Sequence, residues 1–356
     1  MVEKPEKTTS PNGEVDLIRR IRSLAGLRGP GLRLGIGDDC ALLRADPGEE
    51  IAVTTDLSID GRHFRLGWHP PESVGHRTLA RGLSDLAAMG ARPLAAFVSL
   101  GIPRELTVYP GRQKRPQKPL QESRQQSWLD RFYAGFLALA AEYKTSLAGG
   151  DLSESPVALA DVVMVGAVPR GRALLRSGAR FGDLLYVTGA LGGASAGLAQ
   201  LEALAAKQPG GGSMVRIPKK QAPVLQPHLY PQPRVSQGLW LQRRGIASAA
   251  LDISDGLSTD LAHICEESQV AAEVDAASLP IAPGATFHQA LTGGEDYELL
   301  FTARSSVKVP RAIAGIPITQ IGRIVRPRPG APQVLLRTAA GFQPLEPRGW
   351  EHFSPK

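Results

Sequence analysis

Acidic residues recur beside glycines and hydroxyls at five places in this chain. They are GIGDDC with Asp38 and Asp39, TTD with Thr54, Thr55 and Asp56, LSDLAAMG with Asp85, AGGD with Gly149, Gly150 and Asp151, and DISDG with Asp252, Ser254 and Asp255. Such oxygen donors suit magnesium, which takes a near-octahedral shell of carboxylates, water and substrate phosphates. Carboxylates from several separate segments would hold several ions along a triphosphate, neutralising and aligning the phosphoryl group in transfer. Glycines beside the acids let phosphate oxygens approach the backbone. Taken singly, most of these acids have an ordinary alternative. Asp38, Asp56 and Asp151 read equally as turn residues bonded to their own backbone, and Asp255 as the N-cap of a helix at 257–267. Asp85 stands apart, because it falls mid-helix between Leu83 and Leu86, where a polar group needs a partner. Asp260, just before Leu261, has no part in the pattern and reads as structural.

The elements that must position these residues alternate between strand and helix. EIAVTTDLSI and PLAAFVSLGIP are apolar, β-branched runs that predict strands. Between them GHRTLARGLSDLAAMGA predicts a helix, with Leu79, Leu83, Leu86 and Ala87 at helical spacing and Gly90 as a stop. WLDRFYAGFLALAAEYK predicts a second amphipathic helix, SLAGGD a short strand entering a glycine turn, and VALADVVMVGAVP a further strand. After the irregular basic connector PRGRALLRSGARFGD, DLLYVTG and ALGGASAGLAQLEAL read as strand, glycine-rich turn and helix. Helices are expected at VSQGLWLQRRG and STDLAHICEES, and GGEDYELLFTA as a turn into a strand. A domain boundary is placed near residue 169, giving domains at 16–169 and 170–356 after a disordered leader at 1–15. Both halves mix helices and strands, so the class is α/β (α+β).

Several other phosphate and hydrolase signatures are missing. No G-x-x-x-x-G-K-[ST] occurs, GIGDDC has Cys40 where a dinucleotide fingerprint has its third glycine, and no H-E-x-x-H occurs. GALGGAS (189–195) is glycine-rich after a strand but has no lysine, and reads as a tight turn more than as a phosphate cradle.

Apolar residues make up 42% of 356, compatible with packed cores rather than general disorder. The net charge of +7 suggests an acidic partner at first, but nine of the 41 basic residues and one of the 34 acidic ones fall in two polar segments. These are GRQKRPQKPLQESRQQ (111–126) and KQPGGGSMVRIPKKQA (207–222), which read as solvated insertions. The rest of the chain is close to neutral, so nucleic acid is not the expected partner. The polar start MVEKPEKTTSPNGE carries no apolar signal core, and no run of about eighteen apolar residues suggests a membrane span. The two cysteines, Cys40 and Cys265, form neither a disulfide framework nor a zinc pattern, which suits a cytoplasmic location.

LGIGDDCALL, TTDLSIDGRHF, LSDLAAMGARP, LAGGDLSESP, GRALLRSGARFGD, YVTG, LDISDGLSTDL, TGGEDYELLF and the closing GWEHF occur in this order. Together they resemble the thiamine-monophosphate kinase family, from about residue 16 to 353, outside the leader and the basic insertions. The Gly-Asp pieces are shared with related ATP-dependent synthetases of the aminoimidazole ribonucleotide and selenophosphate types, which remain the alternative reading. TTDLSIDGRHF, TGGEDYEL and the terminal aromatic-x-His-Phe favour the kinase.

The resemblance implies a PurM-like two-domain fold. Its N-terminal domain would form a β-barrel-like interface in a homodimer, and its C-terminal domain would be α/β. It implies that ATP gives its γ-phosphoryl group to thiamine monophosphate, directly and in line, with several magnesium ions and no phosphoenzyme. The product, thiamine diphosphate, would complete that cofactor's biosynthesis. Asp39, Thr54, Thr55, Asp56, Asp85, Asp151, Asp252 and Asp255 would ligate magnesium directly or through water, with Asp56 and Asp151 the most important for turnover. Gly150, Asp151, Arg176 and Ser254 would contact ATP. His63, Glu295 and Trp350 would hold thiamine monophosphate. Without the motifs, His63 reads as a structural hydrogen-bonding residue, Arg176 as a solvated arginine and Trp350 as a terminal core anchor. The chain departs from the family pattern at Gly82, where asparagine is usual, at Tyr230, where arginine is common, and in a longer, more basic segment at 104–127.

Overall fold

The computed structural model describes residues 14–26, 29, 31–108, 126–208 and 214–350. The leader before Glu14, most of the first basic insertion, residues 209–213 of the second, and the end of GWEHF lie outside the described residues. Contact density divides the chain into two compact units. The first comprises residues 1–44, 55–79 and 94–163, the second 45–54, 80–93 and 164–356.

In chain order the N-terminal half contains α1 (Glu14–Leu24), β1 (Leu32–Leu34), β2 (Leu42–Leu43), β3 (Glu49–Ile59), α2 (Pro71–Ala88), β4 (Arg92–Ile102), α3 (Trp128–Glu142), β5 (Ser146–Glu154) and β6 (Leu159–Pro169). Strands β3, β6, β4 and β5 form a four-stranded sheet in that order, and β1 pairs with β2. Helix α3 starts where its sequence says it should. Ser127 accepts from the Asp130 N–H, Asp130 returns a bond to the Ser127 N–H, and this capping box satisfies two orphan donors. Phe132, Phe136 and Leu139 of α3 are fully buried, and the Phe132 and Phe136 rings lie 6.3 Å apart. Nearby, Arg131 grips Glu72 of α2 with two hydrogen bonds of 2.7 and 2.8 Å.

One expectation is corrected here. SLAGGD does not end in a glycine turn, because β5 runs on through Gly149, Gly150 and Asp151 to Glu154. Parallel pairing with β4 places Val98 opposite Gly150 and Ser99 opposite Asp151. Gly150 has φ +146°, and a Cβ there would run into the Val98 carbonyl, so close strand approach requires the glycine.

The C-terminal half contains β7 (Leu184–Thr188), α4 (Gly193–Ala206), α5 (Ala222–Leu229), α6 (Val235–Arg244), β8 (Ala249–Asp252), α7 (Leu257–Ser268), β9 (Ala271–Asp275), α8 (Phe287–Thr292), β10 (Leu299–Ala303), β11 (Ala312–Ile313), β12 (Ile316–Val325), β13 (Val334–Thr338) and β14 (Gly341–Pro344). The sheet runs β14-β13-β9-β12-β7-β10-β8, with β11 beside β12. β13 pairs parallel to β9, whereas β7, β8, β10 and β12 pair antiparallel. Leu185, Leu251, Leu300 and Ile321 of the sheet share one core with Leu261 and Ile264 of α7. That packing fixes β8 and α7, and so the turn between them that carries the DISDG motif.

Helix α5 lies inside a stretch whose prolines argue for a loop. Pro223 sits in its first turn, where a missing N–H costs nothing, and Leu225, His228 and Leu229 are buried. Burial of those three side chains outweighs the interior Pro227.

Candidate active site

The candidate site in the second unit is organised around a short backbone loop, residues 254–256, which follows β8. Three successive N–H groups, of Ser254, Asp255 and Gly256, point at one oxygen, Asp260 Oδ2, at 3.1, 3.1 and 3.0 Å. Asp260 is 3% exposed. Burial, aided by the neighbouring Asp255 charge, pushes its carboxyl up to about 7 against the lowering effect of the three backbone bonds. The N-cap of α7 is therefore not Asp255 but Gly256, at φ +113° with no side-chain cap bond. Asp260, rather than Asp255, satisfies the donors of this turn. A Cβ on Gly256 would collide with the Thr292 backbone, so only glycine allows this turn to pack there.

Two distant segments are pinned to the same loop through the backbone. Glu295 N–H donates to the Ser254 carbonyl at 2.7 Å, and Trp350 N–H donates to the Asp255 carbonyl at 3.0 Å. Gly349 N–H also reaches Thr259 Oγ1 at 2.9 Å. Ser254, Asp255, Glu295 and Trp350, scattered over almost a hundred residues of sequence, thus share one small region. Glu295 holds a left-handed backbone at φ +66°, as does Tyr297 at +52°. Such strain in non-glycine residues persists only where surroundings over-determine it, and it is common at binding sites. Trp350 is 53% exposed, so it is not the core anchor that its position near the terminus allowed. An exposed indole is available for stacking on a cationic ring.

Helix α2 brings further residues to this unit. Asp85 is half-buried and accepts a short hydrogen bond from Thr54 Oγ1. Asp252, at the end of β8, is 6% exposed and accepts from Ser84 Oγ at 2.5 Å. Arg81 Nη1 lies 3.9 Å from Glu295 Oε1, and His228 Nδ1 lies 3.7 Å from Glu295 Oε2. Ser84, Arg81 and His228 were not among the sequence candidates. LSD does carry Ser84 beside Asp85, but nothing local reveals that Asp252 lies opposite. Gly82 is buried on the same helix.

The glycine-rich turn before α4 is not an open phosphate cradle. The Asp296 carboxylate accepts from the Gly192 N–H at 2.5 Å and the Ala194 N–H at 3.0 Å, filling the helix N-terminus with an internal anion. Burial pushes the Asp296 carboxyl up to about 7; the Ala194 and Gly192 bonds lower it, and the Glu298 charge raises it. Glu298 is held by Arg234 and Thr188, with bonds of 2.5 to 2.6 Å. This turn runs into GASAG (193–197), which spells G-x-S-x-G. A nucleophile elbow holds its serine in a sharp, strained turn, whereas Ser195 lies within α4 and is not among the residues with positive φ.

In the first unit the candidates lie near solvent. Asp38 and Asp39 are exposed, and Asp38 Oδ1 accepts from the Asp39 N–H at 2.9 Å. Asp151 is exposed and accepts from the Leu152 N–H at 2.9 Å. Thr55 is exposed and Asp56 half-buried, one step apart on β3. His63 is half-buried. Its Nδ1 accepts from the Ile59 N–H at 3.1 Å, which leaves the proton on Nε2, and its carbonyl accepts from Arg77 at 3.1 Å. In the second unit Arg176 is exposed on the connector, fixed by Ser268 Oγ bonding its carbonyl.

Among the described residues no group of three or more His, Cys, Asp or Glu side chains is assembled for a metal. Magnesium needs no such cage, since one or two carboxylates completed by water and substrate phosphates suffice. The oxygen-only donors Thr54 with Asp85, and Asp252 with Ser84, fit that demand within the second unit.

Comparison with known proteins shows the family. Residues 37–168 match the model of the AIR synthase related protein, N-terminal domain, and residues 180–331 that of its C-terminal domain. The chain is 35% identical over 354 residues to the thiamine-monophosphate kinase of Escherichia coli strain K12, covering 96% of this chain and 98% of that one. A crystal structure of thiamine-monophosphate kinase from Stenotrophomonas maltophilia superposes with a TM-score of 0.70 at 36% identity, over 90% of this chain and 95% of that one. A structure described as AaThiL complexed with AMPPCP and TMP gives 0.68 at 29% identity, over 98% and 100% of the two chains. With its two AIR synthase-related domains, the chain belongs to the thiamine-monophosphate kinase family.

Proposed function

We propose that this protein transfers the γ-phosphoryl group of ATP to the phosphate of thiamine monophosphate, yielding thiamine diphosphate and ADP. The observation that carries this reading is the 254–256 loop. It fixes Ser254 and Asp255 beside the acid-bearing end of β8 and pins the backbones of Glu295 and Trp350 to the same turn. A phosphate-handling edge and a ring-binding edge thereby share one scaffold.

An oxygen of the acceptor phosphate attacks the γ-phosphorus as the bond to the β-phosphate's bridging oxygen breaks, and ADP leaves. The acceptor is already an anion, so positioning and charge neutralisation matter more than a general base. Asp39, Thr54, Thr55, Asp56, Asp85, Asp151, Asp252 and Asp255 would hold several magnesium ions through their oxygens, directly or through water. Bound magnesium would neutralise the phosphates and hold them in line. Gly150, Asp151, Arg176 and Ser254 contact ATP; Arg176 offers an exposed guanidinium to phosphate oxygens. His63, with its proton on Nε2, donates to the substrate, Glu295 orients it, and Trp350 stacks on its cationic ring.

The protein acts as a homodimer whose N-terminal domains, ending near residue 169, meet in a barrel-like interface. In support, β3 is an edge strand of the four-stranded sheet and exposes Ile51, Val53 and Leu57 in alternation. Such an edge invites pairing with a second copy. A cytoplasmic location is supported by two free cysteines, Cys40 and Cys265, and among the described residues no helix is long and apolar enough to cross a membrane.

The deciding experiment incubates purified protein with ATP, magnesium and thiamine monophosphate. Thiamine diphosphate and ADP are expected in equal amounts. Absence of product where a known kinase of this family is active would overturn the reading. Sedimentation of a species twice the chain mass tests the dimer.

A further inference from the structure

Arg81 precedes Ser84 by three residues and Asp85 by four, so the three side chains share one face of α2. Each reaches a different part of the same compact unit. Asp85 accepts from Thr54, Ser84 donates to Asp252 at 2.5 Å, and Arg81 faces Glu295 across 3.9 Å. The Arg81 and Glu295 side chains are 17% and 26% exposed, so both border solvent rather than lying in the core. Their separation makes an ion pair, but it is too long for a hydrogen bond. The other Glu295 oxygen faces the buried His228 of α5 at 3.7 Å. Glu295 is therefore approached at both oxygens, by Arg81 at one and by His228 at the other.

This inference rests on the proposed function. There, Glu295 and Trp350 hold the thiamine moiety, while Asp85 and Asp252 serve the metal ions at the phosphoryl group in transfer. The acceptor phosphate is covalently joined to the first and reacts at the second, so it must lie between them. Arg81 is the side chain that α2 places there, paired to Glu295 and one turn from Asp85. A guanidinium carries five N–H donors in a planar fork, and can face a carboxylate along one edge and phosphate oxygens along another. A phosphate dianion beside Glu295 would be repelled without an intervening cation. We infer that Arg81 binds the phosphate of thiamine monophosphate, holds the attacking oxygen in place, and makes the site select phosphorylated thiamine over thiamine.

Calorimetric titration of thiamine monophosphate, and separately of thiamine, into the full chain with magnesium and a non-hydrolysable ATP analogue tests this. Arg81→Met keeps the aliphatic stem and removes the charge. It should weaken binding of thiamine monophosphate roughly ten- to hundredfold, leave thiamine within about twofold, and leave the KM for ATP unchanged. Arg81→Lys keeps the charge without the fork and should fall between Arg81→Met and the parent. It also keeps the test decisive should the methionine variant fold poorly. Equal losses for thiamine and thiamine monophosphate would show that Arg81 serves only Glu295 and would overturn the inference, as would unchanged affinity for both. A parent protein that makes no thiamine diphosphate would instead count against the proposed function, independently of either variant.

Discussion

Acids of two kinds stand beside glycines in this chain, and their surroundings separate them. Asp39 and Asp151 in the first unit are exposed, and the Asp151 carboxylate accepts from its neighbour's N–H. Asp260 and Asp296 in the second unit take three and two backbone N–H groups respectively, at turns where the chain would otherwise leave buried donors unmet. In sequence, DG, GD and GED look alike. The difference lies in whether a carboxylate is consumed by its own fold. Acids that fold around themselves hold the architecture, and those left facing solvent are suited to a ligand.

The sharpest way to break this comparison is to remove charge from each class. Asp56→Asn and Asp151→Asn should lower turnover by roughly a hundredfold or more while the melting temperature stays near that of the parent. Near-normal turnover in both would contradict the metal role. Asp260→Ala should do the reverse first. It strips one acceptor from three backbone donors and should cost about 3 kcal/mol in denaturant unfolding. A loss confined to activity would show that Asp260 belongs with the ligand-facing acids.

Gly150 tests the boundary between the classes, since it adjoins Asp151 yet is itself set by packing. Alanine there meets both an unfavourable φ of +146° and the Val98 carbonyl. Gly150→Ala should destabilise by about 1 to 3 kcal/mol and lower activity with it. Thermal melts read alongside turnover would show whether the two fall together. An unchanged melting temperature would mean that the strand can yield, and that the glycine is kept for nucleotide approach alone.

The chemistry was more legible in the sequence than the scaffold that holds it. The acid-bearing motifs could be picked out because residue type and short spacing carry the signal, and the elements around them followed from apolar periodicity. Helix α5 was hidden by Pro223 and Pro227, which local rules treat as breakers, although one stands where a helix tolerates it. The glycine end of the SLAGGD strand reads as a turn because glycines mark turns, whereas here they allow two strands to approach. Ser84, Arg81 and His228 could not be found locally, because their partners Asp252 and Glu295 lie 168, 214 and 67 positions away along the chain. The role of Asp260 was half visible. Its lack of a motif pointed to structure, but the three bonds it accepts depend on a turn that only the folded backbone forms.

The smallest effect expected concerns pH, and it sharpens the buried class. The Asp296 carboxyl is pushed by burial from its ordinary 3.8 up to about 7. Between those values the folded protein holds a proton that the unfolded chain has released. Folding is then favoured by acid, and this contribution, complete below 3.8, is lost as pH rises through about 7. The slope from one such group is at most about 1.4 kcal/mol per pH unit. Asn at this position is permanently neutral and keeps a carbonyl oxygen for one of the two N–H donors. Asp296→Asn should therefore flatten the fall in unfolding free energy between pH 5 and 7, relative to the parent, as read from urea titrations at several pH values. Parallel pH profiles for the two proteins would mean that the backbone donors of Gly192 and Ala194 keep Asp296 ionised, and that its burial is balanced by those bonds alone.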